Sequence, residues 1–379
     1  MPLRGPAGVI AVTVLCALLG SSGGCGTTQA AGNSLSVAGV NTSDSLAGLY
    51  ETLATAVEDK IELETLANAF RDDTLEAQAR ARNEAFSVDA ETRKQRANTR
   101  QLDLKTALQL RRRAAMARRL SDLYQALGGL AANPAKPTVG DAARNLAGAV
   151  RALDKDSLEG GPDPTDLVGM LAQDLITIQN ANDVRVAGQR IDSILAGVRA
   201  LYDGESRVKA YRVIIERRGD VAGNVTRVLV ERGWADPVPI LRRLAESKGI
   251  PWDGQFPRDD AVGRRDAAAV ASLVVSRTGD AAVAATEEMG LALKELSAQH
   301  QVLAASGRPD LRGAVALAGR VKEYLDEVHK LQKAAQEQRE QQQKKEEEAE
   351  RQRRKKAEER GSPSTVPAGP QLPGGGPSN

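Results

Sequence analysis

Apolar residues recur along most of this chain at intervals of three and four, with charged and amide residues between them. That spacing belongs to an amphipathic helix, and no stretch alternates as a half-buried strand would. Leu46, Leu49, Tyr50, Leu53, Val57, Ile61 and Phe70 form the first apolar face, with Ser43 or Asp44 placed to cap it. Asp72-Asp73 predicts a second start at Thr74. From Glu76 to Gln101 only Phe86 and Val88 are sizeable apolar residues. Leu104, Leu108, Ala115, Leu120, Leu123 and Leu127 then restore an inward stripe, which Gly128-Gly129 is expected to end. Asp141 caps a shorter helix running to Leu153, and Gly160-Gly161-Pro162-Asp163-Pro164 is the strongest internal break.

Beyond that break, Thr165 opens a long helical run with Leu167, Leu171, Ile191, Leu195, Val198 and Leu201 inward. Interruptions are expected at Asp203-Gly204 and at Arg218-Gly219-Asp220, and a turn at Gly233-Trp234-Ala235-Asp236-Pro237. After helix Val238 to Lys248 comes the loop Gly249 to Pro257; helices resume near Asp259 and after Gly279-Asp280. The last helix opens at Asp310, with Leu311, Val315, Ala318, Val321, Leu325, Val328 and Leu331 inward. Past Leu331 the apolar seam stops, so Gln336 to Arg360 reads as a solitary charged helix without the heptad core of a coiled coil. Leu-Ala-Gly recurs at Leu46, Leu146, Leu195 and Leu317, but at irregular spacing, so no repeat architecture follows.

The fold class is therefore all-α: an elongated multi-helix bundle with a long charged C-terminal helix and a disordered tail. Six regions follow: 1–24 as a signal peptide, 25–43 as a flexible tether of Gly, Ser, Thr, Ala and Asn, and 44–153 as an N-terminal helical region. Residues 165–335 form a C-terminal bundle, 336–360 the charged helix, and 361–379 a Pro/Gly-rich tail. Aromatics make up only 3% of the chain, so any core is built mainly of Leu, Val and Ala. With 52 basic against 50 acidic residues, global charge gives no reason to expect nucleic acid as a partner.

The N-terminus adds a location. Met1-Pro2-Leu3-Arg4 is a positively charged lead, Val9 to Leu19 an apolar run too short to span a bilayer, and Gly20 to Gly24 a small-residue stretch ending at Cys25. This order resembles the type II signal peptide of bacterial lipoproteins. There the lipobox cysteine is diacylated, carries palmitate-type chains and becomes the first residue of the mature protein. Gly23 and Gly24 match the small positions of that motif, while Ser22 stands where it has an aliphatic residue. The resemblance implies export and anchoring to the cell envelope through lipid on Cys25. Gly26 follows where an aspartate would imply inner-membrane retention, which favours the outer membrane in a Gram-negative host. Both cysteines, Cys16 and Cys25, fall at or before this point, so the mature body has no internal disulfide.

No catalytic, cofactor or metal motif emerges. His300 and His329 are the only histidines and are not paired at zinc-binding spacing. Ser297 and His300 share a helix face, but nothing in the sequence supplies a third group to orient them. Two stretches suggest binding. The first is the basic run from Arg93 to Arg119, centred on Arg111, Arg112 and Arg113, which faces either lipid headgroups and wall polymers or the acidic helix Glu51 to Glu64. The second is Trp252 with Phe256, aromatics held between Pro251 and Pro257 beside Asp253, as a recognition loop for sugar or peptide. The expected function is a non-enzymatic, lipid-anchored helical envelope protein acting as scaffold, spacer or binding module. Its partners would be the membrane and an envelope protein or cell-wall polymer. A cell-wall-modifying enzyme with dispersed acidic residues and a soluble secreted helical binding protein stay open as alternatives.

Overall fold

The computed structural model describes residues 25–132, 138–151, 184–202, 205–251, 261–305 and 310–328, with 344, 347–348 and 351–352. Of the described residues 91% are helical and none lies in a strand, so the chain is all-α. It divides into two compact units, Met1–Leu325 and Asp326–Asn379. The first holds α1 (Cys25–Ala81), α2 (Ala90–Ala132), α3 (Thr138–Arg151), α4 (Val184–Tyr202), α5 (Glu205–Glu231), α6 (Val238–Ser247), α7 (Ala261–Ser276) and α8 (Asp280–Ala304). A single 3-10 turn, Arg277–Gly279, joins α7 to α8, and residues 312–325 are also helical. The signal region 1–24, Trp252, Phe256, most of 336–360 and all of 361–379 lie outside the described residues.

The fold is organised on an antiparallel pair, α1 and α2. Ion pairs between Lys60 and Asp103 and between Arg96 and Asp72 set the register, and Ser36 Oγ–H donates to the Tyr124 carbonyl further along. Leu46, Leu49, Tyr50 and Leu53 of α1 and Leu110, Leu120, Leu123 and Leu127 of α2 have no exposed surface. Around this pair α3 packs on α2, α5 and α8 on α1, α4 on α8, and α7 on α5. Within the first unit, α4, α5 and α8 pack with α1 and α2 around one core, because α1 and α2 supply the apolar faces that those helices cover.

Several boundaries differ from expectation. The stretch 25–43 is helix, not tether: Leu35 and Ala38 are fully buried, and Gly39 lies against the Tyr124 ring where a Cβ would not fit. Small residues that look linker-like in sequence are what let α1 approach α2 so closely. No new helix starts at Thr74, because Thr74 Oγ1 bonds back to the Phe70 carbonyl and α1 runs on to Ala81. The chain turns at 82–89 instead, where Asn83 takes φ 55° and Asp89 caps α2 by accepting from the Thr92 backbone N–H at 2.8 Å. Gly128-Gly129 does not end α2, which continues to Ala132 with Gly128 seated on Ser36. Arg218-Gly219-Asp220 lies within α5, and Gly219 and Gly223 admit Ser276 and Ser272 of α7. Val315 is 38% exposed, and Ala314 is buried in its place.

Other expectations agree. Ile191, Leu195, Val198 and Leu201 are buried on α4, and the turn before Val238 is present, with Gly233 at φ 71°. The repeated Leu-Ala-Gly has no common packing role: Gly48 meets Leu325, while Gly148 and Gly319 face open space. Val262–Leu303 is long and apolar enough to cross a membrane by length and composition, but Ala268, Ala271, Ala285, Met289 and Leu293 from it sit in the core.

Candidate binding surface on the α1–α2 hairpin

A helix turns about 100° per residue, so consecutive side chains cannot share a face. Arg111, Arg112 and Arg113 accordingly diverge. Arg111 leans onto α1, donating from Nε and Nη2 to Glu58 at 2.9 and 2.5 Å. Arg112 is half-buried. Arg113 is only 2% exposed and points into the core, where Nη1–H donates to the Tyr211 phenol oxygen at 2.7 Å. Burial works against its charge, but the Tyr211 and Tyr50 oxygens outweigh that and hold its pKa above the ordinary arginine value. No single anion can engage all three arginines.

The rest of the basic run divides the same way. Arg96 makes a bidentate pair with Asp72 at 2.6 and 2.9 Å, which holds the Asp72 carboxyl below its usual range. Arg118 pairs with Glu51, and Arg119 with Asp122. The acidic face of α1 thus takes up the basic residues directed toward it. Arg93, Lys94, Arg100 and Lys105 remain exposed with no ion pair among the described residues. Asp103, the only acid between Glu91 and Arg119, is drawn inward by Lys60 at 2.7 Å.

The apolar residues of α2 divide as well. Leu120, Leu123 and Leu127 face the core, but Leu104 and Leu108 are each 50% exposed and Ala115 is exposed, against expectation. The step of five from Ala115 to Leu120 breaks the three-and-four spacing and moves the stripe most of the way to the other side of the helix. Leu110, Ala114 and Ala117 fill the core positions instead.

Where α1 and α2 approach their connecting loop, a groove of about 860 Å³ opens between them. Its apolar lining is Ile61, Leu75, Phe86 and Val88, and its charged lining includes Arg71 and Arg100. Three carboxylates in its wall are already engaged: Glu64 by Lys60, Asp72 by Arg96 and Asp89 by Thr92. The Thr92 hydroxyl and backbone N–H lower the pKa of Asp89.

Sequence reasoning overlooked Trp234, which is 56% exposed in the turn after α5. Phe70 lies 5.2 Å from its ring and the Arg232 guanidinium 4.9 Å over it. The signal available was a tryptophan between Gly233 and Pro237, in a turn that exposes whatever it carries.

Ser297 and His300 are not partnered with each other. Ser297 Oγ–H donates to Asp192 at 3.2 Å, and His300 is bonded to Tyr124 and to the Gly188 carbonyl. Burial raises the Asp192 pKa, an effect the Ser297 bond opposes. Among the described residues no group of His, Cys, Asp and Glu is arranged to hold a metal ion. The sequence matches no protein-family model, and neither curated proteins nor solved structures offer a match to it.

Proposed function

We propose that this chain is a lipid-anchored, non-enzymatic helical protein of the bacterial cell envelope, acting there as a scaffold, spacer or binding module. The observation that carries the reading is the order of charge, apolar run and small residues ending at Cys25, and Cys25 lies within α1. An acyl group on Cys25 would then be joined to a 57-residue helix rather than to a slack linker. The rest of the unit supports a binding role: Arg111 with Glu58 and His300 with Tyr124 hold helices together, while part of α2 presents an unpaired basic and apolar face.

Metabolic labelling with a palmitate analogue tests the anchor, comparing the wild-type chain with Cys25→Ala and following both through membrane fractionation. The reading expects label and membrane association in the wild type and the loss of label in the variant. Wild-type protein that stays unlabelled and soluble would overturn it.

A further inference from the structure

We infer that the outward face of α2 binds the surface of an anionic lipid bilayer. Ala97, Leu104, Leu108 and Ala115 follow one another at seven, four and seven residues, which places them on one line along the helix. All are exposed; Ala97 and Arg100 also edge the groove between α1 and α2, while Leu104, Leu108 and Ala115 lie on the side of α2 opposite its buried residues Leu110, Arg113, Ala117 and Tyr124. Arg93 and Arg100 flank it on one side, Lys94 and Lys105 on the other, none of them ion-paired among the described residues. Asp103, the acid nearest in sequence, is held toward α1 by Lys60.

An apolar line bordered on both sides by cations is the arrangement of a helix lying in a membrane interface. The leucines enter the acyl boundary while the ammonium and guanidinium groups stay among the phosphates. Leu104 and Leu108 are each half-exposed on this line, as Leu102, 62% exposed, is on the opposite side of α2. A second copy of α2 laid against the first between Arg93 and Lys105 would set like charges together, because the one carboxylate of α2 in that stretch, Asp103, is held by Lys60. A glycan is disfavoured by the lack of any aromatic ring on this line.

Combined with the proposed anchor, on which this consequence alone rests, the face sets an orientation. Lys60 fixes the level of Asp103 on α1, about 50 Å from Cys25 at 1.5 Å per helical residue. For an acyl chain on Cys25 and the Leu104 face to reach one bilayer, the α1–α2 hairpin must lie along the membrane rather than stand on it.

Flotation of the full chain with vesicles of phosphatidylcholine alone, and of phosphatidylcholine mixed with phosphatidylglycerol, tests the inference. The expected result is stronger binding to the anionic vesicles that weakens as salt is raised. Replacing Arg93, Lys94, Arg100 and Lys105 together by Gln should weaken that preference by roughly three orders of magnitude, and L104Q with L108Q by roughly tenfold. These side chains are exposed, so circular dichroism should show unchanged helix content in both variants. Wild-type binding that ignores phosphatidylglycerol and salt overturns the inference. So does a charge variant that floats like wild type, or a chain that sediments with wall sacculi but not with vesicles. The anchor reading fails separately, when wild-type Cys25 takes up no palmitate label, since the lipid preference is read as a difference between variants with the same N-terminus.

Discussion

Arg113 of α2 and Tyr211 of α5 meet inside the bundle, the guanidinium Nη1–H donating to the phenol oxygen at 2.7 Å. The Tyr211 ring lies 6.1 Å from Tyr50 and 5.5 Å from Tyr202, and the Tyr202 hydroxyl donates to the Thr286 carbonyl at 2.5 Å. Helices α1, α2, α4, α5 and α8 are therefore tied together by a buried cation and three tyrosines. Among the described residues no carboxylate pairs with Arg113, so phenol oxygens carry its solvation. Tyr211→Phe should destabilise the fold by about 2 kcal/mol by leaving a buried charged donor short of a partner. Adding Arg113→Met should recover part of that loss, since the charge is then gone. Urea unfolding of the two single variants and the double variant checks this, and strictly additive losses would refute the coupling.

His300 predicts an acid-sensitive core. Its Nδ1–H donates to the Gly188 carbonyl, which can only accept, so Nε2 accepts from the Tyr124 hydroxyl at 2.8 Å. Burial lowers its pKa from 6.5 to about 4, and burial also pushes the Tyr124 phenol upward, so both groups are neutral at pH 7. Between those values the unfolded chain binds the proton more readily. The stabilisation is thus complete above about pH 6.5, declines as pH falls, and is lost below about pH 4, a total of about 3 kcal/mol. Urea unfolding at steps between pH 7 and pH 4 should show that decline, and His300→Gln should flatten it. An unchanged slope in the variant would assign the acid sensitivity to other groups.

Two glycine substitutions should behave oppositely. At Gly39 an added Cβ would collide with the Tyr124 ring, so Gly39→Ala should cost about 2 kcal/mol or more and disturb the bond to His300. At Gly148 nothing lies within 4 Å, and alanine should stabilise α3 by about 0.5–1 kcal/mol. Thermal melts of both variants test the contrast. Equal effects would mean that α1 does not pack on α2 at Gly39.

The ion pairs of the hairpin should differ in worth. Lys60 and Asp103 keep 9% and 18% of their side-chain exposure, whereas Arg118 and Glu51 keep 61% and 37%. Asp103→Asn leaves a nearly buried ammonium with only Glu64 beside it and should cost about 2 kcal/mol. Glu51→Gln should cost less than about 1 kcal/mol, and less still in high salt. Denaturant midpoints at low and high salt separate the two.

Helical periodicity and composition determined the all-α class and most of the inward face of α1, from Leu46 through Ile61, because a period of three to four residues depends on the chain alone. They also determined the turn before Val238, where Gly233 and Pro237 act locally. Tertiary structure decided what depends on a partner helix. It made helix of the small residues at 25–43, since Gly39 is useful only where Tyr124 fills the space it leaves. It likewise carried α5 through Gly219 and Gly223 by setting Ser272 and Ser276 of α7 against them. It also sorted the arginines of α2, sending Arg113 inward and Arg111 to Glu58. A run of like charges in sequence holds no information about which face meets an acid, a phenol or water, and only the packing of α1 and α5 against α2 supplies it.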